Sequence, residues 1–180
     1  MEQFDQPPTT TPPPKHWGRR SATFYNIMVA YRYHRKRQRF FDLLDKCTKA
    51  LTVIAGGSLL AAPIKEAVPI VAMIISALGL LSLVFAYGDR KQSHKELSEA
   101  FTNLAAKIEE TPAVRLTSEI VAGWEADVSL LKAKEPPQLH TLITICEREQ
   151  SIANGHPNHI PPVPFGKRLL ADFVSFGSFR

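Results

Sequence analysis

Between Ala67 and Tyr87 the chain carries 21 consecutive residues without a charge, and 15 more lie between Ala50 and Ile64. Only Lys65 and Glu66 separate the two runs. A helix rises about 1.5 Å per residue, so about 20 apolar residues cross a hydrocarbon core about 30 Å thick. The second run meets that length. The first is extended by Cys47 and Thr48, with Lys49 able to lift its ammonium to the headgroups. A helix buried in a soluble core rarely stays apolar on every face for so long. The runs therefore predict an all-α membrane protein, with transmembrane helices over about 47–64 and 67–87 joined by a turn between Pro63 and Pro69.

Charge gives the hairpin a direction. The chain is basic, at +5, and its cations crowd beside the apolar runs. Arg32, Arg35, Lys36, Arg37 and Arg39 precede the first, and Arg90 and Lys91 follow the second. Positive residues stay on the cytoplasmic side, so both termini are expected in the cytoplasm of a multi-pass plasma-membrane protein. Anionic headgroups and topology account for these cations, and nucleic acid is not expected as a partner. Cys47 and Cys146 are then both expected as free thiols. No apolar signal segment occupies the first 20 residues, so the first span is expected to act as its own insertion signal.

The flanks read as helices. Residues 1–20 are rich in Pro and Thr and are expected to be disordered. From Ser21, a plausible N-cap, no Pro or Gly interrupts the chain to Ile54. Phe24, Ile27, Tyr31, Gln38, Phe41 and Leu44 line one face, so one helix is expected to run from the cytoplasm into the bilayer. After the hairpin, His94, Leu97, Phe101, Leu104 and Ile108 form a 3-4-3-4 seam on a helix over about 89–110. Thr111 and Pro112 then read as the N-cap and first residue of a helix over about 113–134, whose face is Leu116, Ile120, Trp124, Val128 and Leu131. Pro136 and Pro137 stop it, and a helix over about 138–151 carries Leu139, Leu142, Ile143 and Cys146. The expected organisation is thus a head (1–20), a two-transmembrane domain with a cytoplasmic helical bundle (21–152) and a Phe-rich tail (153–180). In that tail Leu169, Leu170, Phe173, Val174 and Phe176 follow Lys167 and Arg168, fit to dock on the bundle or a partner.

Within the spans, small residues gather on one face of each helix: Ala50, Gly57 and Ala61 in the first, Ala72, Ser76, Gly79 and Ser82 in the second. Small side chains let helix backbones approach closely in lipid, for hairpin packing, for self-association or for lining a conduit. No Asp, Glu, Lys, Arg or His lies inside the charge-free runs 50–64 and 67–87, which argues against an ion-coupled transporter.

The chemistry of catalysis is not written in the chain. It has no phosphate-binding loop, no dinucleotide fingerprint and no paired Cys-x-x-Cys. His156 and His159 lack an acidic or Cys companion, and read as a polar loop. His94 reads as a hydrogen-bonded interface histidine, with a pH switch as the sharper alternative. No catalytic residue, cofactor or metal is expected.

Two membrane helices, a long basic lead-in helix and a cytoplasmic helix opening on His94, Leu97, Phe101 and Leu104 after Asp89-Arg90-Lys91 resemble the SLATT family. These are bacterial two-transmembrane proteins associated with SMODS nucleotidyltransferases and SLOG domains. The likeness covers about residues 20–152; where the family often has Tyr, this chain has Phe101. It implies an oligomeric inner-membrane effector of an antiviral conflict system that forms a pore or otherwise breaches the membrane. A separately encoded nucleotide-signalling enzyme or sensor would trigger it. A membrane anchor that presents the cytoplasmic helices and tail to a soluble partner is the competing expectation.

Overall fold

The computed structural model describes residues 16–61 and 68–173. The described chain is helical, without strands. α1 runs unbroken over Trp17–Ala61, 45 residues, or about 68 Å at 1.5 Å per residue. α2 spans Val68–Phe85, α3 Tyr87–Glu110, α4 Ser118–Lys132, α5 His140–Ala153 and α6 Phe165–Leu169. α1 is the spine, packing against α2, α3, α4 and α5 along its length.

The core forms where the apolar seams meet. Ile27 and Ala30 of α1, Phe101, Leu104, Ala105 and Ile108 of α3, and Val121, Trp124 and Val128 of α4 make one buried cluster. On another side of α1, Val29 and Tyr33 pack with Leu142 and Cys146 of α5. Burying a side chain of this size contributes about 1.5–3 kcal/mol, which is why a helix as polar as α1 still holds its place. α1 therefore buries two stripes in its first half, wider than the single Phe24-to-Leu44 face expected of it.

Helix boundaries differ from expectation at two places. Ser21 is not an N-cap but an exposed residue inside α1, which begins four residues earlier and takes Trp17 to Arg20 out of the head. Thr111 ends α3 instead of opening the next helix. Pro112 leads into a single 3-10 turn, Ala113–Arg115. The next helix starts at Ser118, because Thr117 is the better cap: its hydroxyl accepts from the Ile120 N–H at 3.3 Å, and Glu119 sits in the positively polarised first turn. Farther on, α5 ends through Gly155, whose φ of 82° suits a residue without Cβ; the Gly155 N–H bonds the Ile152 carbonyl at 3.0 Å.

The hairpin is α1's last turns and α2. Among the described residues, no helix is long and apolar enough to cross a membrane. The expected spans are trimmed by the chain itself. Ala86 adopts the left-handed region (φ 43°), which breaks the apolar run between α2 and α3, so that α2 holds 18 residues, about 27 Å. The turn expected at Lys65 and Glu66 lies outside the described residues, as do the first 15 residues of the head, Val174 and Phe176.

The C-terminal segment docks. Ala171 is buried, Phe173 meets Phe40 edge-on with ring centroids 5.0 Å apart, and Arg37 donates to the Asp172 carbonyl at 2.7 Å. Leu169 and Leu170 remain exposed.

Candidate functional site

A polar centre sealed inside the described bundle gathers around His34, which is fully buried. Tyr33 and His34 are neighbours on α1, and both hold the seven-residue connection 133–139 between α4 and α5. His34 Nε2 lies 3.0 Å from Glu135 Oε1, before Pro136. The Tyr33 hydroxyl accepts from the Leu139 N–H at 3.1 Å, at the N-cap of α5. Gln138 donates to the other Glu135 oxygen. The third helix joins through His94 of α3, whose Nδ1 lies 2.8 Å from His34 Nδ1.

Aromatic rings close the centre. His34 stacks on Phe101 at 5.7 Å, His94 stacks on Phe41 at 5.6 Å, and Tyr33 stands edge-on to His34 at 5.2 Å. The Arg37 guanidinium caps Phe41 at 4.5 Å. The seam position opened by His94 is therefore polar for a reason: it supplies the partner of a second buried histidine.

Proton bookkeeping constrains the pair. Two nitrogens 2.8 Å apart share one proton. Either His94 donates to His34, or His34 donates to an uncharged His94, and burial among the rings favours the uncharged form of His94 in both. Its pKa is pushed down to about 4, by burial first and then by His34, Arg37 and Arg90. A buried carboxylate stripped of its partner is costly, so Glu135 and His34 hold each other in place. The line Glu135–His34–His94 is enclosed by the rings, and its geometry ties α1, α3 and the α4–α5 connection together.

The basic residues beside the hairpin are mostly spent as struts. Arg32 donates to the Gln150 side chain at 2.8 Å, Lys36 pairs with Glu149 at 2.9 Å, and Lys91 with Asp42 at 2.7 Å. Arg35 lies over the Tyr31 ring at 5.8 Å and Arg90 over Phe41 at 5.9 Å. Lys46 joins Lys91 on Asp42, and these hydrogen bonds hold that carboxyl down to about 2. Arg39 is exposed, with no acidic partner among the described residues.

Leu97, Phe101, Leu104 and Ile108 are all buried with His94 on one face of α3. The small residues of the hairpin fall elsewhere. Ala50, Gly57, Ala72, Ser76 and Gly79 are exposed and Ser82 is half-buried; the Ala61 side chain lies outside those described. The shielded stripe of α2 is instead Val71, Ile75, Leu78 and Ser82, at spacings of four, three and four. Gly79 and Ser82 line the flank of a groove whose other wall is Thr48, Thr52 and Val53. A Cβ added at Gly57 or Gly79 would meet nothing within 4 Å.

Cys47 is exposed and Cys146 buried, and both are free thiols. Burial lifts the Cys146 thiol to about 12, so it packs as a small apolar group. No group of three or more His, Cys, Asp and Glu residues among those described could hold a metal ion, the His156–His159 loop included.

Sequence reading missed His34, Tyr33 and Glu135. His34 lies within a run of cations, where a histidine reads as one more polar residue. Glu135 precedes a double proline that reads as a helix stop. The available signal was that Ile27, Ala30, His34 and Phe41 continue one helical stripe at spacings of three, four and seven. No protein-family model matches the chain, and neither does any curated protein or solved structure.

Proposed function

We propose that the chain is a membrane-embedded effector: a two-helix hairpin inserted in the bacterial inner membrane and worked by the cytoplasmic bundle through α1. The observation that carries this reading is the outward display of apolar side chains on the hairpin. Leu51, Val53, Ile54, Ile70, Met73, Ile74, Leu80 and Val84 are 48–73% exposed, with no described protein element over them. At about 1.5–3 kcal/mol for each fully buried side chain, half-covering eight of them in lipid favours insertion by roughly 10 kcal/mol. That rivals the whole stability of an ordinary domain, about 5–15 kcal/mol. Patches of this kind on soluble monomers are rare.

One hairpin encloses no conduit, so an effector of this design acts as a homo-oligomer. The exposed small residues Ala72, Ser76 and Gly79, unused within the chain, favour contact with further copies. α1 supports coupling, because one rigid helix belongs to both the His34 centre and the hairpin. The SLATT-like layout extends the proposal to a conflict system, in which a separately encoded nucleotide-signalling enzyme or sensor gives the trigger. The test is induction in a bacterium loaded with a potential-sensitive dye. Depolarisation by the wild type, and its loss in Gly79→Leu, is the expected result. A membrane-inserted monomer that leaves the potential intact would point to the anchor role instead.

A further inference from the structure

Cations from three helices converge where α1 meets the C-terminal segment. Lys36 and Arg39 of α1 and Arg168 of α6 line a hollow of about 310 Å³. Arg148 of α5 lines a second hollow of about 120 Å³, which shares Arg168 and Ile145 with the first. Two acids border them: Glu149 pairs with Lys36 at 2.9 Å, whereas Asp172 Oδ1, 3.8 Å from Arg37, is buried without a hydrogen-bond donor. Among the described residues, Arg39, Arg148 and Arg168 have no acidic partner. The Arg148 Nε is buried with no hydrogen-bond acceptor. Leaving such a donor unmet costs about 1–3 kcal/mol, which an anion reaching the smaller hollow would offset.

Part of the lining is apolar: Phe40, Leu43, Leu142 and Ile145 share the first hollow with Arg39 and Arg168. A bare hydrated ion has no use for that part, whereas a phosphate ester with an apolar body uses both parts. Guanidinium forks match phosphate oxygens two at a time. Leu43 lies seven residues before the charge-free segment begins at Ala50, about 10 Å along the helix axis. The headgroup layer is itself about 5–8 Å deep, so the upper lip of the hollow lies just beneath it.

We propose that this hollow binds a phosphate ester bearing an apolar body, with Arg39 and Arg168 as its principal contacts. The placement favours an anionic phospholipid of the inner leaflet as the source. That source rests on the membrane reading above, while the phosphate site itself does not. The two fail separately, because membrane insertion is measured by alkaline extraction and the site by titration of detergent-purified full-length protein.

Four probes separate the sources: dihexanoyl phosphatidylglycerol, dihexanoyl phosphatidylcholine, glycerol 3-phosphate and inorganic phosphate. The expected result is phosphatidylglycerol binding about tenfold tighter than phosphatidylcholine, and lost by about tenfold in Arg39→Ala/Arg168→Ala. Arg115→Ala, which removes an exposed cation elsewhere, should leave it unchanged. Arg39→Lys/Arg168→Lys keeps the charge without the fork and should fall between. Glycerol 3-phosphate or inorganic phosphate bound as tightly as the lipid would overturn the proposal, because neither carries an apolar body. Binding indifferent to Arg39 and Arg168, or weakened equally by Arg115→Ala, would overturn it.

Discussion

His34 and His94, 60 residues apart in sequence, face each other across α1 and α3 with their Nδ1 atoms 2.8 Å apart. The contact lies beneath the hairpin, on the helix that carries the hairpin's first arm. Any movement of α3 relative to α1 must rearrange it.

Removing His34 should cost more than removing His94. In His34→Leu the Glu135 carboxylate, whose side chain is 6% exposed, loses its buried partner, and a penalty of about 3–5 kcal/mol is expected. In His94→Leu a neutral acceptor or donor is orphaned, at about 1–3 kcal/mol. Denaturant unfolding of the full chain in detergent orders the two variants. A non-zero coupling in the double-mutant cycle is the further expected outcome.

Acid should weaken the bundle through His94. Its folded pKa is about 4 against 6.5 for a free histidine, so the unfolded chain takes up a proton first. Stability is fully present above pH 6.5 and falls as pH drops through the window from 6.5 to 4, by up to about 3 kcal/mol. Asp172, raised by burial, contributes with the opposite sign, gaining stability as pH falls from its raised folded value to 3.8. The difference between wild type and His94→Asn isolates the histidine. Melting temperatures across pH 4–7.5 should lose most of their slope in that variant.

The two thiols should react very differently. Cys47 is exposed, and Cys146 is buried with its pKa lifted to about 12. A neutral-pH alkylation time course followed by peptide mass analysis should modify Cys47 first. Cys146 should label only after denaturant is added.

Glycine at 57 and 79 should be dispensable to the single chain and needed by the assembly. Nothing lies within 4 Å of a Cβ at either position. Gly57→Leu and Gly79→Leu should therefore not destabilise the monomer, and the gain in helix propensity should stabilise it by up to about 1 kcal/mol. The same variants should lose self-association by cross-linking in bilayers, and with it depolarisation.

Much of the fold was legible because periodicity is local. The Leu97-to-Ile108 seam, the Trp124 face of α4 and the unbroken α1 all follow from 3.6-residue spacing and the absence of Pro and Gly. Boundaries were less so. Pro112 can open a helix, but Thr117 with Glu119 makes the stronger start. The polar centre was not legible, because it joins α1, α3 and the α4–α5 connection across separations of 60 and 101 residues, which no local pattern encodes. Nor could the sequence tell which stripe of α2 faces α1: its small residues pointed to Ala72, Ser76 and Gly79, while Val71, Ile75 and Leu78 take that place because they fill more space.

The central claim is that the hairpin lies in the bilayer, and alkaline carbonate extraction of membranes from cells expressing the full chain tests it most directly. The account predicts that the protein stays with the membrane pellet through the wash and that detergent alone releases it. Recovery of folded protein in the carbonate supernatant would contradict it.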